Sequence, residues 1–80
     1  MAKTSPLHSP AYRRFLGRLR QARLDAGMSQ VAVAKALGKP VSYPSKCELG
    51  ERRVDFVELV DLARLYGRSL EYFADPRKRR

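Results

Sequence analysis

The stretch GMSQVAVAKALGKPVSYPSKCELG, residues 27–50, decides how the rest of the chain is read. Glycines stand at 27, 38 and 50, and each interval between them has room only for a helix too short to stand alone. Ser29 reads as an N-cap, and Met28 with Val33 has the spacing of a hydrophobic staple. Val33, Ala34 and Leu37 make one apolar face, closed by Gly38. Ala32, Ala34 and Ala36 are small enough to let another helix approach closely. Lys39 and Pro40 then form a tight turn, and a second short helix runs from about Ser42 to Glu48 and stops near Gly50. Such a pair needs a bundle behind it.

That bundle is legible on both sides. Ser9-Pro10 supplies an N-cap with proline at the first helical position. Tyr12, Phe15, Leu16, Leu19, Ala22 and Ala26 follow as a helical stripe, with Arg13, Arg14, Arg18 and Arg20 on the remaining surface, up to Gly27. Downstream, Asp55 with Glu58 has capping-box spacing and Val54 with Leu59 makes a staple. Phe56, Leu59, Val60, Ala63 and Tyr66 read as the inward face of this fourth helix, which Gly67 ends. Ser69 caps a last short helix with Leu70 and Phe73 turned inward. The expected fold is all-α: five helices, with no strand pattern. Residues 1–8 read as a loose arm, 9–75 as the domain, and 76–80 as a basic tail. Pro44 disturbs the third helix, because a helical proline donates no hydrogen bond and clashes with the carbonyl four residues back. It also biases Tyr43 away from helical geometry. The helix therefore begins late, near Pro44, or has a distorted first turn.

Eighty residues allow one domain with a thin core. Seventeen Lys and Arg oppose eight Asp and Glu, a net charge of +9. Residues 1–50 carry nine basic and two acidic side chains, whereas residues 51–76 carry four and six. Arg77, Lys78, Arg79 and Arg80 restore a basic end. One surface is thus aimed at a polyanion and another turned away from it. Nucleic acid is the natural candidate, with a membrane surface and plain solubility as competing explanations. No apolar run approaches the ~20 residues of a membrane span. Residues 1–11 lack the apolar stretch of a signal peptide, so a cytoplasmic location is expected. Cys47 is the lone cysteine and reads as a small buried hydrophobe, and His8 lies in the arm with no partner for a metal or catalytic site. No nucleophile with a base, metal cluster or Gly-rich phosphate loop is visible, so neither an enzyme nor a cofactor is expected.

Taken together, the motifs resemble the phage-repressor-like (Xre, or lambda-repressor-like) helix-turn-helix family. The matching pieces are L-R-x-x-R at Leu19, Arg20 and Arg23, G-M-S-Q at Gly27 to Gln30, and V-A-x-x-L-G at Val33 to Gly38. S-K-x-E-x-G at Ser45 to Gly50 and L-A-x-x-Y-G at Leu62 to Gly67 complete the set. Each piece alone is weak; their order and spacing over residues 15–73 carry the likeness.

The resemblance implies a compact five-helix bundle that docks its second and third helices on double-stranded DNA, most often as a dimer. Ser29 and Gln30 would then meet phosphates at a helix start, with Lys39, Arg52 and Arg53 beside the backbone. Base readout would fall to Val41, Ser42, Tyr43, Ser45 and Lys46. The chain departs from the family here. Glutamine is common at the position of Val41, a buried aliphatic at that of Pro44, and residues 41–49 hold no Asn, Gln or Arg. Direct readout is therefore sparse, with more weight on DNA shape. Arg23 would pair with Glu48 as a structural ion pair. Val57, Leu62 and Leu65 lie outside the expected core face of the fourth helix and suggest a homodimer interface. The function implied is a sequence-specific transcriptional regulator, a repressor by operator occupancy. A protein-interaction module and a nonspecific basic nucleic-acid binder are the alternatives.

Overall fold

The computed structural model describes residues 9–74. The arm at 1–8 and the tail at 76–80, with their expected boundaries, lie outside the described residues. Four α-helices follow one another: α1 (Pro10–Asp25), α2 (Gln30–Leu37), α3 (Ser42–Leu49) and α4 (Phe56–Tyr66). The fifth element is not an α-helix but a single 3₁₀ turn, Leu70–Phe73. Only four residues separate Ser69 from Ala74, too few for a second helical turn. No strand occurs among the described residues.

Local sequence accounts for most helix ends. Ser9 accepts a hydrogen bond from the Tyr12 N–H at 3.1 Å, with Pro10 at the first position. Ser29 accepts from the Ala32 N–H at 3.0 Å. Asp55 and Glu58 complete a reciprocal capping box, with bonds of 2.8 and 3.1 Å. Gly38 takes φ 67°, a left-handed conformation that costs a side chain dearly, and lets Lys39 N–H reach Ala34 O at 2.9 Å. The chain thus reverses between α2 and α3 within a few residues.

The third helix resolves the question raised by Pro44. It starts at Ser42, and Val41 before it is already helical, with φ −56° and ψ −32°. The Pro40 carbonyl, which a residue at 44 would ordinarily hold, accepts instead from the Tyr43 N–H at 2.9 Å. The first turn is tightened rather than delayed. Pro44 sits where a missing N–H is tolerated and its ring is buried.

A single core gathers Leu19 and Ala22 of α1, Val33 of α2, Tyr43 and Cys47 of α3, Leu62, Ala63 and Tyr66 of α4, and Phe73. Met28, Val54 and Leu59, the staple residues, pack against it half-buried. The inward face of α4 is rotated from the expected one. Leu62 is only 2% exposed, whereas Phe56 is 67% exposed. Leu59, Leu62, Ala63 and Tyr66 form the stripe that meets the core. Phe56, at the first helical position, is left largely in solvent. Leu62 is therefore no part of a dimer interface, and Leu65 is half-buried against the core. Val57 remains exposed.

Candidate nucleic-acid interface

The chemistry of α3 divides cleanly by face. Tyr43, Pro44 and Cys47 turn inward, while Val41, Ser42, Lys46 and Leu49 are exposed and Ser45 is half-buried. Residues 42, 45, 46 and 49 fall at helical spacing, so they share one outer row. Tyr43 does not belong to that row. Only 6% of it is exposed, so it cannot reach a base edge, and burial pushes its hydroxyl well above the usual tyrosine value. The Cys47 thiol is likewise pushed up, by burial first. A thiol held protonated in the core is a packing group, not a nucleophile.

Two cations lie over the Tyr43 ring. Lys39 Nζ lies 5.3 Å and Arg52 Cζ 5.1 Å from its centroid. With Pro40, Ser42 and Lys46 they line an open cleft beside the start of α3. Arg52 is not available as a simple phosphate ligand. Its guanidinium grips Glu58 with bonds of 2.8 and 2.6 Å and donates to Arg53 O at 3.2 Å. Hydrogen bonding to Arg52 holds the Glu58 carboxyl below the usual range, with burial opposing. The surplus positive charge of the cleft therefore comes from Lys39 and Lys46. Arg53 lies elsewhere, 4.8 Å over the Tyr12 ring, whose hydroxyl accepts from Val54 N–H at 3.1 Å.

One buried ion pair fastens the end of α3. Arg23 donates from Nε to Glu48 Oε2 at 2.7 Å and from a terminal nitrogen to Oε1 at 3.2 Å. Its other terminal nitrogen donates to Met28 O at 3.0 Å, so one guanidinium ties α1, the turn before α2, and α3. The two side chains are 9% and 5% exposed. Hydrogen bonding to Glu48 raises the Arg23 value, with burial working against it. Gln30 joins the same carboxylate, donating from Nε2 to Glu48 Oε1 at 3.2 Å. This use of Gln30 has no signal in the sequence. One of its two amide donors faces Glu48, which leaves one for a phosphate. Ser29 is exposed at the same helix start with its hydroxyl engaged as the cap.

Elsewhere the surface carries apolar side chains at the start of α4. Phe56 and Val57 are 67% and 68% exposed, and Leu70 is 40% exposed. No helix among the described residues is long and apolar enough to cross a membrane. A family model described as a helix-turn-helix domain matches residues 14–74, which span the helix pair and the bundle behind it. No curated protein matches the chain.

Proposed function

The chain belongs to the helix-turn-helix domain family, and from that premise we propose a sequence-specific DNA-binding transcriptional regulator of the phage-repressor-like (Xre) kind. In this reading the outward side of α3, from its start to Lys46, enters the major groove of duplex DNA. Ser42, Lys46 and Val41 meet base edges, Ser45 stands at their margin, and Lys39 meets the backbone together with the helix start at Ser29 and Gln30. The observation that carries the reading is that outward side itself: Ser42 and Lys46 stand exposed, with Lys39 at the cleft beside them, on a helix whose other face is buried in the core. Regulation is by occupancy, as a repressor sitting on its operator, and the chain is a binding protein rather than an enzyme.

A homodimer would place two copies of α3 on successive half-sites. Val57, with Phe56 beside it at the start of α4, supports this because scattered surface apolars rarely concentrate at one helix start. The same patch favours a second reading, in which the fold chiefly holds another protein.

Selection of bound duplexes from a random pool, followed by titration across a salt series, tests the proposal. A regulator prefers its site to random duplex by about 10³-fold or more. Equal affinity for both, with a steep salt slope, would indicate a nonspecific polyanion binder instead. Weak binding to either, with capture of a protein, would support the interaction module. Sedimentation that finds one copy both free and on DNA would remove the homodimer.

A further inference from the structure

The outward side of α3 carries one lysine, with an exposed aliphatic side chain just before the helix and another at its last position. Val41 and Leu49 are each 63% exposed. Val41 is not free to turn away from the surface. Its backbone is helical, Pro40 precedes it with a fixed φ, and the Tyr43 N–H closes the turn on Pro40 O at 2.9 Å. Tyr43 and Pro44, just beyond it, are buried, so the helix cannot roll to hide Val41 without exposing them. A β-branched side chain also keeps few rotamers. The result is a stiff pair of methyl groups beside the Ser42 hydroxyl, five positions ahead of Lys46 and on the other flank of the same outward side.

Base-edge chemistry then narrows what such a row can read. In the major groove the one apolar group that a base presents is the C5-methyl of thymine. Lys46 and Ser42 can donate to guanine O6 and N7. No side chain from 41 to 49 carries the amide that reads adenine through paired bonds. On the reading that α3 docks on DNA, we infer that Val41 is a specificity determinant that packs against a pyrimidine C5-methyl group. Preferred sites then carry a thymine at one position of the half-site that Lys46 also reads. Leu49 has the same exposure but lies at the far end of the helix. Recognition helices bring their N-terminal residues to the bases, so Leu49 serves as a matched control.

The test uses the full chain and the tightest duplex selected from a random pool. Each thymine is replaced in turn by deoxyuridine, which removes only the methyl, and by 5-bromodeoxyuridine, which restores a group of similar size. At one thymine per half-site, deoxyuridine weakens binding by about fourfold, the effect of burying one methyl, and the bromo base recovers it. Val41→Ala binds the thymine site more weakly and loses the difference between thymine and deoxyuridine. Leu49→Ala keeps that difference. Both positions are exposed, so both variants melt close to the parent. Uniform binding to every deoxyuridine duplex, or full methyl dependence in Val41→Ala, would overturn the assignment. A pool that yields no preferred site overturns the DNA-binding reading along with it, whereas a preferred site without methyl dependence overturns this inference alone.

Discussion

Helices α2 and α3 are both eight residues long and lie side by side, yet they are held in different ways. α2 specifies itself at both ends, by the Ser29 cap and the left-handed Gly38. α3 shares a left-handed glycine at its end, Gly50, but has no side-chain cap at its start, contains a proline, and has little apolar bias along its own sequence. What fixes it is tertiary: Tyr43 and Cys47 set in the core, and Glu48 bound to Arg23 and Gln30. The difference teaches that the surface proposed to meet DNA is positioned from behind. Its outward residues are then free to be chosen for readout rather than for helix formation.

The most damaging way to break this contrast is Glu48→Ala. It leaves the Arg23 guanidinium buried without its carboxylate and costs about 3–5 kcal/mol. A fall in Tm of roughly 12 °C or more, with DNA binding lost in parallel, is expected. Replacing both partners, Arg23→Met with Glu48→Leu, should recover most of that stability, because two well-packed apolar groups leave no charge uncompensated. A melting curve for Glu48→Ala that overlays the parent would mean that α3 is held by something else.

Ser29→Ala strikes the self-specified helix and should cost about 1 kcal/mol, seen as a Tm lower by about 4–8 °C. If it cost as much as Glu48→Ala, the distinction between the two helices would fail.

Glu58→Gln is smaller still. Glutamine preserves the capping box with Asp55 but removes the charge gripped by Arg52, whose side chain is 42% exposed. A half-exposed pair is screened, so the loss at pH 7 should be below about 1 kcal/mol. Because the folded carboxyl lies below its ordinary value of 4.5, the parent's advantage is present above that pH and disappears as the pH falls through the folded value. Denaturant midpoints of parent and variant should therefore converge on acidification. An unchanged gap at low pH would exclude the ion pair as its source.

Lys46→Ala should leave stability within about 0.5 kcal/mol, since the side chain is exposed. Its effect belongs to binding, as a relaxed preference at one base pair. Equal weakening on selected and random duplex would place Lys46 on the backbone instead.

Several features of the site could be read without coordinates because they are local. The caps at Ser9, Ser29 and Asp55 each involve residues three apart, and the staple pairs are five apart. The pairing of Arg23 with Glu48 came from family likeness and not from spacing, since twenty-five positions separate them. Gln30 with Glu48, and Arg52 against both Glu58 and Tyr43, left no mark on the sequence because any polar residue could occupy those positions for unrelated reasons. Tyr43, expected among the base readers, is buried for a reason equally invisible in the sequence. An aromatic in a short helix without a clear apolar stripe gives no indication of which way it faces.

By itself, then, the amino-acid order determined where most helices begin and end, that two short ones are joined by a tight turn, and that positive charge gathers in the first half of the chain. Those properties depend on backbone dihedrals, near-neighbour hydrogen bonds and composition. Tertiary structure alone decided how far each helix is rotated about its axis, and so sent Leu62 into the core and Phe56 out of it. It also decided which charges meet. A helical period establishes that an apolar stripe exists, but the stripe's orientation, and every bond between distant side chains, is set by the surface that packs against it.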